Sequence, residues 1–240
     1  MDAHRYYNER STSRRSLKDG DGVRNTHNFI KASLIDDYIP RAAHILDLGC
    51  GQGGDLLKYK HVAPRSYRGI DISHVAIEAA ARRIAQINLR FRVRLECFDF
   101  STRDWWKSTP NKVDAVSCQF AIQYAFASEE NAAHVIACIE RVLRPGGVFL
   151  GTVPVHDIPS YGQVIVRLPD DARPCVEYSA QKSDIVALCA QVDLQLVMWE
   201  SFKEYHERTR TSKTKLCTLM RAVTSPNPSN AVFVFKKKHK

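Results

Sequence analysis

The residues of this 240-residue chain best suited to chemistry stand where short apolar runs end. Ile45, Leu46 and Leu48 lead through Asp47 into Gly49-Cys50-Gly51-Gln52-Gly53-Gly54, and a helix-like Asp55-Leu56-Leu57 follows. That order reads as a buried strand, a tight turn and a helix start. The glycines allow positive φ and let a ligand approach the backbone. Two ligand classes use such a turn. Gly49, Gly51 and Gly54 satisfy G-x-G-x-x-G, and Asp71 follows about twenty residues on, where the ribose-binding acid of a dinucleotide site belongs. Asp47, however, precedes the first glycine as Asp-x-Gly-x-Gly. A carboxylate there would repel a pyrophosphate and attract a ligand carrying an ammonium and a sulfonium, such as S-adenosylmethionine. The later segments agree with the second class.

Three more polar side chains close apolar runs in the same way. Tyr67–Ile72 holds Asp71, the alternating run Phe91–Phe98 ends at Asp99, and Val113–Cys118 ends at Gln119. Between these runs the apolar spacing is helical. Thr26–Tyr38 carries Phe29, Ile30, Leu34 and Ile35, with Asn28 and Lys31 on one face. Val75–Ile87 carries Ile77, Ala80, Ala81 and Ile84, with Arg82 and Arg83 in its C-terminal half. Ser128–Leu143 starts at a plausible N-cap. Arg144-Pro145-Gly146-Gly147 breaks that helix before a strand over Val148–Val153. Alternating strands and helices predict an α/β, Rossmann-like fold: a mostly parallel seven-stranded sheet, helices on both faces, and Ala231–Phe235 as an antiparallel last strand. Ligands of such sheets sit at the carboxyl ends of the strands, where Asp47, Asp71, Asp99 and Gln119 all stand.

The pattern weakens after Pro154. Tyr161–Val166 reads as helix or strand, Ser179–Gln191 as a helix, Leu194–Trp199 as a strand, and the polar, basic stretch His206–Thr218 as a surface loop. Ser225–Ser229 reads as a turn. Residues 1–20 form a polar, basic arm, mobile or docking late, which reads as a solvated terminus, as a lid or as an RNA-contacting arm. Residues 21–240 form one domain, expected to act as a monomer. No apolar run approaches the roughly 18 residues a membrane span needs, and the first residues lack the apolar core of a secretory signal. Seven scattered cysteines without a C-x-x-C pair point away from a disulfide framework or a zinc site, and the nine histidines show no metal-ligand spacing. The net charge of +9, from 35 Lys and Arg against 26 Asp and Glu, favours an anionic partner such as nucleic acid over a merely basic soluble protein.

Several segments together resemble the mRNA cap (guanine-N7) methyltransferases: Arg24-Asn25-Thr26-His27-Asn28-Phe29-Ile30-Lys31, Asp47 through Leu56, Asp71-Ile72-Ser73, Cys118-Gln119-Phe120-Ala121-Ile122-Gln123-Tyr124, Gly146 through Pro154, and Val232-Phe233-Val234-Phe235-Lys236-Lys237. The glycine turn is general to methyltransferases, whereas Asn-Phe-Ile-Lys and Cys-Gln-Phe-Ala-x-x-Tyr are far more specific. The resemblance implies that Lys31, Asp47, Gly49, Asp71, Asp99, Gln119 and Tyr124 bind S-adenosylmethionine, with S-adenosylhomocysteine as product and no metal. It implies that Asn28, Arg83, Phe120, Gln123, Tyr124, Pro154 and Glu177 meet the cap. Capped RNA would be the substrate, and a capping guanylyltransferase or RNA polymerase II would be candidate partners. Location would be nuclear for a cellular enzyme and cytoplasmic for a viral one. The chain departs from the family at Gln123, where histidine is usual, at Gln52, where lysine is common, and at Asn230, where tyrosine is expected. The implied reaction is in-line displacement at the sulfonium methyl by guanine N7, whose lone pair needs no general base. A methyltransferase for another RNA or a small molecule, and a non-catalytic cap-binding subunit, are the alternatives.

Overall fold

The structure is a computed structural model and describes residues 3–12, 21–101, 105–108, 112–168, 171–219, 226 and 229–239. Helices α1 (Ala3–Thr12) and α2 (Asp21–Tyr38) come first. Strand β1 (His44–Leu48), helix α3 (Leu56–Tyr59), β2 (Ser66–Asp71), α4 (His74–Gln86), β3 (Arg92–Cys97), β4 (Val113–Gln119), α5 (Glu129–Val142) and β5 (Leu143–Pro154) then alternate. The hairpin β6 (Gln163–Leu168) and β7 (Asp171–Tyr178) follows, then α6 (Lys182–Ala190), β8 (Leu194–Ser201), α7 (Phe202–Ser212), α8 (Thr214–Leu219) and β9 (Asn230–Lys237).

Seven strands form one sheet in the order β3-β2-β1-β4-β5-β9-β8. The first five run parallel, and β9 lies antiparallel between β5 and β8. The chain winds outward from β1 in one direction and from β4 in the other, so the crevice above these two strands is the switch point of the sheet. Alternation along each strand sorts side chains to two faces. Ile45, Ala115, Leu150, Val232 and Val234 pack with Phe29, Ile30 and Leu34 of α2. Leu46, Val116, Phe149 and Phe233 pack with Val135, Ile136 and Ile139 of α5. Ser73 caps α4 by accepting from Ala76 N–H, and Ser128 caps α5 by accepting from Asn131 N–H.

Two sequence expectations change, at His206–Thr218 and at the start of β5, and two stretches the sequence left open, the arm and Tyr161–Val166, take definite form. The polar arm is in part helix α1, whose Tyr6 is buried and which packs against α4 and β7; its Arg14, Arg15 and Lys18 lie outside the described residues. The stretch His206–Thr218 is not a loop, because it continues α7 and forms most of α8. Phe202, Tyr205, His206 and Thr209 recur at helical spacing and are all buried, and Ser201 with Glu204 closes a capping box. Two of those four side chains are polar, which hid the buried face. Strand β5 starts at Leu143, with the Pro-Gly segment absorbed as an irregularity opposite Val113 and Ala115. Tyr161–Val166, open in sequence, enters strand β6 of the two-stranded sheet. The turn at 225–229 lies mostly outside the described residues.

At Gly151 in β5, a Cβ would run into the carbonyl of Cys118 in β4. Backbone blocks relief there. Gly151→Ala is expected to destabilise the fold by about 2–3 kcal/mol, read as a lowered urea midpoint with an unchanged slope.

Candidate functional site

The chain leaving β1 turns at Gly49, which has φ +74° and whose missing side chain leaves room for Ala121 in the loop after β4. Gly51 N–H then donates to Asp71 Oδ2 at 2.7 Å, and Ser73 N–H donates to Asp71 Oδ1 at 2.9 Å. Two backbone donors therefore fix a carboxylate at the end of β2. Burial raises the pKa of Asp71, and these two bonds oppose the rise. Asp99 Oδ1 accepts from both N–H and Oγ of Ser101, at 2.8 and 2.7 Å, which orients it beyond β3. Gln119 donates its amide to Ser117 Oγ at 3.1 Å, while its buried Oε1 has no partner.

These ends meet in a cavity of about 580 Å³ whose lining includes Gly49, Asp71, Asp99, Gln119, Phe120 and Tyr124. Those six are expected site residues brought together by the sheet. His4 and Tyr7 of α1 also line it. Sequence reasoning missed both; the one available signal was an aromatic pair, Tyr6-Tyr7, inside a polar arm. Tyr178, at the end of β7, completes a wall that was also not foreseen.

Tyr124 links the cavity to Glu177. Its hydroxyl donates to Glu177 Oε1 at 2.9 Å and stands 2.8 Å from Tyr7 Oη, so Tyr7 donates to Tyr124 in turn. Burial, with Tyr7 and Glu177 alongside, pushes the Tyr124 pKa far above the phenolic range, which keeps the proton on Tyr124. Glu177 is 5% exposed and stands in β7 opposite Val164. Phe120 adopts φ +56°, unusual for a bulky residue. It is held by a hydrogen bond from its N–H to Thr152 O, and its ring lies against His27 and Phe202. Gln123 donates to Phe120 O at 3.0 Å and keeps a buried, unpartnered Oε1. Pro154 ends β5 opposite Asn230. Asn28 is half-buried on α2, and Arg83 is exposed in the last turn of α4.

Lys31 and Asp47 lie outside the cavity lining. Lys31 Nζ is 2.8 Å from Asp55 Oδ1, and Lys58 Nζ is 2.6 Å from the same oxygen. Burial opposes ionisation of Asp55, yet the two ammonium groups hold its pKa well below the carboxylate range. Asp47 is 2% exposed and accepts from Tyr67 Oη at 2.7 Å. Burial, then the neighbouring Asp55, raises its pKa to about 7. Beneath the glycine turn the chain thus holds two ammonium groups, one firmly ionised carboxylate and one carboxyl poised near neutrality. A ligand bearing both an ammonium and a carboxylate matches that balance better than a polyanion does.

A family model described as the mRNA (guanine-N(7))-methyltransferase domain matches residues 2–168. The mRNA cap guanine-N(7) methyltransferase of Schizosaccharomyces pombe is 35% identical over 139 residues, 55% of this chain and 39% of that protein. The mRNA cap guanine-N(7) methyltransferase 1 of Oryza sativa subsp. japonica is 28% identical, over 91% of this chain and 75% of that protein. The chain spans about two-fifths of the length of the fungal relatives it matches. A SAM-dependent methyltransferase from Methanosarcina mazei superposes with a TM-score of 0.61 at 18% identity, covering 86% of this chain and 97% of that one. The [4+2]-cyclase SpnF does so with a TM-score of 0.59 at 19% identity, covering 88% and 81%. At such identity these two structures establish the fold alone, and the fold serves more than one reaction.

The raised pKa of Asp47 sets a pH dependence. Below about pH 3 the carboxyl is protonated whether the chain is folded or not. Stability is lost as pH rises from there through about 7, because the unfolded carboxyl ionises first. Asp47→Asn keeps an acceptor for Tyr67 and removes this ionisation. Its stability relative to the parent should rise between pH 4.5 and 8 by on the order of 1–3 kcal/mol, measured by urea unfolding at both pH values.

Proposed function

The chain belongs to the mRNA (guanine-N(7))-methyltransferase family, and on that premise we propose that it transfers a methyl group from S-adenosylmethionine to N7 of the guanosine capping an RNA 5′ end, with S-adenosylhomocysteine as the other product. The observation that carries this reading is the meeting of Gly49, Asp71, Asp99 and the unpartnered Gln119 Oε1 in one cavity that borders the Tyr124–Glu177 pair. The first group suits a nucleoside-bearing sulfonium, and the second suits a guanine.

The residues fit the methyl donor. Asp71, already fixed by two backbone N–H groups, retains lone pairs for the paired hydroxyls of a ribose. Asp99 supplies an acceptor for an exocyclic amine, and the orphaned Gln119 Oε1 supplies another. Lys31 and Asp47 supply opposite charges for the carboxylate and ammonium of an amino-acid end. Since Lys31 is shared with Asp55, a ligand carboxylate would join an existing ion pair. Bound there, S-adenosylmethionine supplies an electrophilic methyl carbon on a positively charged sulfur.

Guanine N7 carries an unprotonated lone pair at neutral pH, so the transfer needs no general base. Glu177 can accept from N1–H and the exocyclic 2-amine of guanine, a donor pair that adenine lacks. Tyr124 holds that carboxylate in position through its donated O–H. Phe120 and Pro154 wall the base, Gln123 and Asn28 offer amides beside it, and Arg83 faces the charge of the triphosphate. Positive charge moves onto the base during transfer, and a fixed carboxylate beside it stabilises that change more than it stabilises the separated reactants. Alignment of N7 with the methyl carbon supplies the rest. The RNA 5′ end methylated this way is the product of a guanylyltransferase, which makes that enzyme and the transcribing RNA polymerase II candidate partners. A cellular copy would then work in the nucleus and a viral one in the cytoplasm.

Two variants test the reading. Asp71→Ala should weaken S-adenosylhomocysteine binding at least about tenfold in calorimetry. Glu177→Gln, which still accepts from Tyr124, should leave that binding intact while lowering kcat/KM for GpppA by about 10–100-fold. Transfer to GpppA at the parental rate by Glu177→Gln would remove the guanine assignment. Transfer by the parent to an uncapped acceptor but not to GpppA would remove the substrate.

A further inference from the structure

Helix α4 leaves the cavity at its capped N-terminus, where Ala76 lines the wall, and runs about 20 Å to its far end. The chain then turns back into β3, the edge strand of the sheet. Around that bend, from Ala81 to Arg94, the exposed charged side chains are all cationic: Arg82 and Arg83 on α4, Arg90 in the turn, and Arg92 and Arg94 on β3. The acids of this stretch are already matched. Glu78 pairs with Arg82, and Glu96 is shared by Arg68 and Arg94. Arg83, Arg90 and Arg92 have no carboxylate partner among the described residues.

Unmatched like charges on a short exposed edge repel one another and add nothing to the fold. They suit a partner that is a line of anions. The edge is continuous with the cavity mouth through α4, and Arg83 stands between the two. Resting on the capped-RNA reading, we propose that the α4–β3 edge is the track for the RNA behind the cap, with Arg90 and Arg92 meeting backbone phosphates of the first transcribed nucleotides. The contact is to phosphate, so it extends the footprint without reading sequence.

The test compares the GpppA dinucleotide with a capped ten-nucleotide RNA. In Arg90→Ala/Arg92→Ala, kcat/KM for GpppA should stay within twofold of the parent. The Kd for the capped RNA, read by fluorescence anisotropy at low salt, should rise about tenfold. The dependence of log Kd on log salt should become shallower by about 1.4, the slope for two single-strand phosphate contacts. Lys203→Ala/Arg210→Ala, which removes two exposed charges from α7, is the control for net charge and should leave the RNA Kd unchanged. An unchanged RNA Kd in the Arg90/Arg92 variant would overturn the proposal, as would an equal loss in the α7 control. The anisotropy readout separates this proposal from the activity: failure of the parent to methylate GpppA would count against the catalytic reading alone.

Discussion

Two parallel strands lie side by side at the centre of this molecule, and the loops that leave them must pass within van der Waals distance. Gly49 makes that possible. Its left-handed backbone turns the chain away from β1, and its lack of a side chain leaves room for Ala121 from the loop after β4. The cavity walls built by these two loops depend on this close approach. Gly51 reaches Asp71 because the turn aims its N–H at the next strand. Phe120 and Tyr124 reach the opposite wall because the second loop is held against the first.

Charge is distributed around that turn with some economy. Of the carboxylates that border the cavity, Asp71 accepts from two backbone N–H groups and Asp99 from the N–H and hydroxyl of Ser101. The ammonium groups are kept behind the turn, where Lys31 and Lys58 share Asp55. Asp47, buried and crowded by that same Asp55, accepts from Tyr67 and has its pKa raised to about 7. Inside low-dielectric surroundings, one more positive or negative group placed nearby shifts this balance strongly. The front of the cavity is thus built from geometry and the back from electrostatics.

Much of this was legible before any coordinates. The central strands are covered on both faces, so they read as short apolar runs ending at Asp71 and Gln119, while the edge strand β3 reads as an alternating run ending at Asp99. The order of strands and helices followed from the same runs. What escaped was whatever depends on polar side chains buried against other elements. Helix α7 looked like a loop because His206 and Thr209 sit on its inner face. Helix α1 looked like a free arm because the contacts that dock it, Tyr7 to Tyr124 and Asn8 to Ser73, span distances no local pattern encodes. The Lys31–Asp55 pair is hidden for the same reason, its members standing 24 positions apart.

Strand β9 runs against its neighbours, so its first residue pairs with Pro154 at the cavity end of β5, and Lys236 pairs with Val148 at the far end. The chain therefore finishes beneath the sheet, where His239 rests over Gly146. Its opening helix does the reverse and sets His4 at the cavity mouth. A reporter carried at His239 therefore leaves the entrance open, while one carried at His4 stands in the doorway.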